Sequence, residues 1–154
     1  MYRAKRFRGI ADIGYCASKK IAFYGLKLHL QVTDQGLPMG YVVTEASCHD
    51  RMAAETVMTQ IPHPYNLGDK GYISQKLQKK LYEEHRIAFW TPVRKNQRIL
   101  QSDAWKQWMK RKRKVIETVF SILVDSYRIT EIRANSISGF ETALDGILLA
   151  YSLV

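Results

Sequence analysis

Residues 24–46 read YGLKLHLQVTDQGLPMGYVVTEA, and their pattern sets the fold class. The first nine residues alternate large apolar and polar side chains, the period of a half-buried strand. TDQG at 33–36 is turn chemistry. MGYVVTEA at 39–46 then predicts a second strand, and the pair is expected as a β-hairpin.

Downstream of the hairpin the period changes. RMAAETVMTQ at 51–60 predicts a short helix, with Asp50 placed to cap it and Pro62 and Pro64 beyond its end. YNL at 65–67 is a short strand candidate, and LGDKGY at 67–72 follows it directly. Residues 73–84 predict a helix with Ile73, Leu77 and Leu81 on one stripe. RIAFWTPV at 86–93 predicts a strand, and RKNQR at 94–98 a basic loop. The longest helix is expected to start after Ser102 as N-cap. Its stripe is Trp105, Trp108, Met109, Ile116, Val119, Phe120 and Leu123, and it runs to about residue 124. A last helix is expected from Ser138 onward. Residues 1–20 are basic and broken by glycines, with no sustained period, and are read as an arm or loop. The order strand, strand, helix, strand, helix, strand, helix, helix predicts an α/β sandwich with a mixed sheet.

The chain has 154 residues, enough for one domain with a core. Its 24 Lys and Arg against 14 Asp and Glu give a net charge of +10, which favours a polyanionic partner. Cys16 and Cys48 have no zinc or redox spacing and are read as reduced thiols. No signal peptide is visible, and GILLAYSLV at 146–154 is far below the roughly 18 residues a membrane span needs.

Two acids stand in settings that ask for a reason. Asp69 follows a predicted strand end, where ligands of open α/β sheets gather. Gly68 and Gly71 let the backbone turn beside it, and Lys70 can point to solvent or to phosphate. A solvated turn is the alternative. Glu117 follows five consecutive basic residues, 110–114, and enters the apolar text VIETVF. Such a glutamate is costly to bury unless it is paired or binds metal, and a helix ion pair with Arg113 is the alternative. Together the two acids suggest a hard divalent ion. Mg²⁺ takes carboxylates, water and phosphate oxygens, and a pair of ions about 3.5–4 Å apart can activate water at a phosphodiester. Three carboxylates are the usual minimum. Asp12 lies in the arm, where no strand is expected to hold it. His49 and Asp50 form an HD dipeptide, but His29, His63 and His85 do not complete a His-Asp hydrolase site.

The segments GYCASKKIAFYGLKLHL, EASCHD, LGDKGY, TPVRKNQ, RKRKVIETVFSIL and RANSISGFETALDGILLAYSL stand in this order along nearly the whole chain. In this the chain resembles the catalytic domain of bacterial insertion-sequence DDE transposases, in the broad IS4/IS5 grouping and nearest the IS982 branch. The resemblance implies an RNase H-like mixed sheet with flanking helices over residues 21–154. It implies that Asp69 is the second catalytic aspartate and Glu117 the catalytic glutamate. The two would hold two Mg²⁺ ions, with Mn²⁺ as a substitute, for cutting and joining double-stranded DNA. Arg113 and Glu117 resemble half of the related YREK signature, whose tyrosine and lysine are replaced by Lys110 and Val124. Lys70, Arg94, Lys95, Lys110, Arg111, Lys112, Arg113 and Lys114 would contact phosphates, which position a protein without reading sequence. The first, central strand and its Asp-Ser segment are expected to be missing, leaving a truncated domain that is inactive alone and marginally stable. The setting implied is the bacterial cytoplasm, with a homodimer as a candidate assembly. A non-catalytic DNA-binding remnant and an RNA-binding structural protein are the rival readings.

Overall fold

The computed structural model describes residues 7, 9–16, 20–93 and 100–154. The described residues form five strands and four α-helices: β1 Asp12–Cys16, β2 Ile21–Val32, β3 Pro38–Glu45, α1 Asp50–Gln60, β4 Tyr65–Leu67, α2 Gln75–His85, β5 Ala88–Trp90, α3 Asp103–Asp125 and α4 Ile137–Ser152. The class is mixed α/β, as expected. The hydrogen bonding, however, gives two sheets: antiparallel β1-β2-β3, and β4 parallel to β5.

The expected hairpin is β2–β3, paired from Leu26↔Glu45 to Val32↔Pro38. Gly36 supplies the left-handed φ of +90° that its turn requires. Period two sends the two faces of the hairpin to different cores. Leu28, Leu30, Val32, Tyr41 and Val43 pack on Val119 and Leu123 of α3 and on Leu144 and Leu148 of α4. Val42 instead packs on a cluster of Ala54, Val57 and Met58 from α1, Leu81 from α2, and Ile87 and Phe89. The polar residues that alternate along β2 are therefore covered as well. His29 and Gln31 are buried, at 2% and 8% exposure. Burial without partners would be costly; His29 finds partners at both ring nitrogens and Gln31 at its amide nitrogen. His29 Nδ1 meets the Tyr72 hydroxyl at 2.8 Å and Nε2 meets Thr44 Oγ1 at 3.0 Å. Gln31 Nε2 donates to Asn66 Oδ1 at 2.7 Å, tying β2 to β4 by side chains. The oxygen of the same amide, Gln31 Oε1, is buried with no partner among the described residues.

Two local expectations are corrected. Part of the arm expected at 1–20 is a strand: β1 pairs Asp12↔Gly25 through Cys16↔Ile21. Its text hides the strand period because Ile13 and Tyr15 point outward, at 69% and 66% exposure. Gly14 lies so close to Ala46 that an added Cβ would stand 2.7 Å from its carbonyl carbon, so the backbone itself needs this glycine. Asp50 does not cap α1. His49 holds the N-cap position without a side-chain bond, and Asp50 belongs to the first turn. Ser102 does cap α3, accepting from Trp105 N–H, and Ser74 and Ser136 cap α2 and α4 in the same way.

Burial holds the His29 imidazole below its ordinary pKa; the nearby Asp50 charge opposes this shift and Lys27 adds to it. In the unfolded chain the ring takes a proton near ~6.5. Below that pH the unfolded state binds more protons than the folded one, so stability falls as pH drops. We expect a melting temperature that declines from about pH 6.5 downward, with a shallower decline in His29→Gln. An identical decline in the variant would contradict this.

Candidate functional site

Asp69 lies two residues past the end of β4 and opens a 3-10 turn, Lys70–Tyr72, with its carboxylate accepting from Lys70 N–H. The turn and the charged site are thus both real. The two glycines serve packing more than turning. An alanine Cβ at Gly68 would stand 2.6 Å from Cε2 of the buried Phe89 ring. At Gly71 it would strike the Asp50 carboxylate, 3.3 Å from its Cγ. Tyr72 anchors the turn from below. Its hydroxyl is held by His29, and its ring lies edge-on to His29 and Phe89, with ring centres 6.0 and 6.4 Å away. Burial, then the negative charges of Asp50 and Asp69, push its phenol pKa up, so it stays a neutral hydroxyl.

Glu117 lies on the middle of α3, one turn beyond Arg113. The side chain of Arg113 joins the two acids: its Nη1 is 3.1 Å from Asp69 Oδ1 and its Nε is 3.1 Å from Glu117 Oε1. The helix ion pair anticipated from the i,i+4 spacing is present, and the same guanidinium also reaches the strand end. Glu117 is not buried as its apolar flanks suggested; the Asp69 and Glu117 side chains are 49% and 57% exposed. The fold therefore brings two water-accessible carboxylates to one cation. Arg113 is within ion-pair distance of both, and the donor set is hard oxygen, the kind that Mg²⁺ takes.

Asp50 borders the same turn, but its Oδ1 is held by Lys27 Nζ at 3.1 Å, which also donates to Cys48 O at 2.7 Å. This pair was missed because Asp50 invited reading as a cap. Asp12 is engaged elsewhere, accepting from the Ser47 amide at 2.8 Å and from its hydroxyl; these bonds hold its pKa down. Among the described residues, the grouping of three potential ligands within reach of one ion is Glu55, Glu84 and His85. There Lys80 sits 2.8 Å from Glu55 Oε2, so that grouping, like Asp69 and Glu117 around Arg113, already holds a side-chain cation.

The basic residues divide by partner. Arg113 faces the acids and Lys112 lies 3.3 Å from Asp34. Lys70, Lys110, Arg111 and Lys114 are exposed, with no carboxylate within ion-pair distance among the described residues. Arg94 and Lys95 lie outside the described residues.

A family profile described as "Transposase DDE domain" matches residues 1–137. The chain belongs to this family. Comparison with curated proteins and with solved structures returns no match. No helix among the described residues is long and apolar enough to cross a membrane.

Proposed function

We propose that the chain is the catalytic part of a DDE transposase acting on double-stranded DNA in the bacterial cytoplasm, with Asp69 and Glu117 as metal-holding acids. The observation that carries this reading is the Arg113 bridge between a strand-end aspartate and a mid-helix glutamate in a chain of this family. The segment order supports the finer placement in the IS4/IS5 grouping near the IS982 branch and an RNase H-like plan, with β1 joining the β2–β3 hairpin as part of the same unit. Two divalent ions, Mg²⁺ or Mn²⁺, would supply water activation and leaving-group stabilisation at the phosphodiester. The chain's own residues would do the rest. Asp69 and Glu117 would hold the ions, Arg113 would turn from bridging the acids to steadying them, and Lys70, Lys110, Arg111 and Lys114 would seat phosphates.

The described residues bring two carboxylates together here, and a third is the usual minimum. We infer that the chain alone binds DNA without cutting it, and that a third carboxylate from another segment or chain completes the set. A second copy of this chain is one such source.

Duplex binding measured across a salt series tests this. Affinity is expected to fall linearly on a log-log scale. Replacing Lys110, Arg111 and Lys114 by Gln should reduce the slope by about 0.9 for each phosphate no longer neutralised. A salt-independent affinity would contradict the DNA reading. Mg²⁺-dependent nicking by the chain alone, abolished in Asp69→Ala, would keep the transposase reading and overturn the inference of incompleteness.

A further inference from the structure

Four aromatic rings form a continuous row that starts at the strand pair leading to Asp69. Tyr65 stacks on Trp90, with ring centres 5.6 Å apart and planes at 19°. Trp90 meets Trp105 edge to face at 5.3 Å, and Trp105 stacks on Trp108 at 5.0 Å and 24°. None of the four belongs to either buried core cluster. Tyr65 is 62% exposed, and the three indoles are each partly open to water. The row is fixed to the site by backbone. Trp90 lies opposite Leu67 in the β4–β5 pair, and its carbonyl accepts the N–H of Gly68, the residue before Asp69. At its other end Trp108 stands on α3, five positions before Arg113, and Lys110 and Arg111 follow it along the helix.

Flat rings left at the surface of a basic protein, continuing into cations, match one ligand chemistry. Bases stack on aromatic faces while the charges track the phosphates. A paired duplex hides its base faces, so the rings can take only nucleotides that are unpaired. Resting on the DNA reading above, we propose that Tyr65, Trp90, Trp105 and Trp108 form a stacking platform for unpaired nucleotides at a DNA end. Its Trp90 end would lead the strand terminus toward Asp69. A protein partner would use the same rings differently, through buried anchors, and would show no preference between DNA forms.

The chain has three tryptophans and all three are in the row, so tryptophan emission reports this surface alone. Three probes suffice: a blunt duplex, the same duplex with a single-stranded overhang, and the free single strand, with occupancy followed separately by fluorescence anisotropy of labelled DNA. The overhang and the single strand are expected to quench the emission, and the blunt duplex to leave it nearly unchanged at equal occupancy. Tyr65→Ala and Trp108→Leu are each expected to weaken overhang binding at least about fivefold while blunt-duplex affinity stays the same. Tyr65 is exposed enough that its variant keeps the test alive should Trp108→Leu fail to fold. Salt-dependent binding of blunt duplex with no quenching and no gain from the overhang would overturn the platform and leave the DNA reading standing. Failure to bind any of the three probes would overturn both.

Discussion

Leu123→Ala is expected to destabilise the chain by about 2–5 kcal/mol, the largest single-residue effect considered, read as a shift in denaturation midpoint. Leu123 is fully buried, at 0% exposure. It lies where α3 meets Leu144 and Leu148 of α4 and the Leu28, Leu30 and Val43 face of the hairpin. Truncation leaves a cavity that neither the helix pair nor the strands can collapse without moving α3. That helix also carries Arg113 and Glu117, so loosening it would separate Glu117 from Asp69. Ile122, one position earlier and 36% exposed, serves as the control; its alanine variant should cost under about 1 kcal/mol. Equal costs at the two positions would mean that α3 does not dock through this face.

Gly68→Ala is the second large effect, expected to cost about 1–3 kcal/mol through overpacking. The new methyl would press on the Phe89 ring, itself backed by Leu81, Ile87 and Tyr72 in the first core cluster. The ring cannot retreat without disturbing that cluster, and the alternative is a shift of the backbone that carries Asp69. Shortening the partner separates the two causes. In a Phe89→Leu background the added methyl should cost less, with a coupling of at least about 0.5 kcal/mol in a double-mutant cycle. Additive costs would mean that the glycine is needed for something other than the ring.

How much of the fold is legible in the sequence follows from how local each cause is. The β2–β3 hairpin is legible because period-two alternation and a glycine turn are local signals. So are α2 and α3, whose apolar stripes are local, and the Ser102 cap of α3, whereas Ser74, read as inside the helix, and Ser136 prove to be the caps of α2 and α4. Asp69 and Glu117 stand out by their local settings too, and the half of the Arg113 bridge that follows i,i+4 spacing is visible. The other half, Arg113 to Asp69, joins residues far apart in sequence and needs the fold. The same holds for Lys27 with Asp50 and for the burial of His29 and Gln31, which look like the wet face of a strand until β4 and Tyr72 cover them. β1 escapes because its large apolar side chains, Ile13 and Tyr15, face outward and what holds it is backbone pairing, the Asp12 bonds to Ser47 and the fit of Gly14 against Ala46.

The central claim is that Asp69 and Glu117 are a cation-holding pair, and a Mn²⁺ titration of the isolated chain, followed by the ion's magnetic resonance signal, addresses it most directly. The expected result is binding that weakens at least about tenfold in Asp69→Asn and in Glu117→Gln, since losing a ligand costs no less than losing a group that merely orients one, and that is unchanged in Glu84→Gln. Binding indifferent to Asp69 and Glu117, or abolished with Glu84, would contradict it.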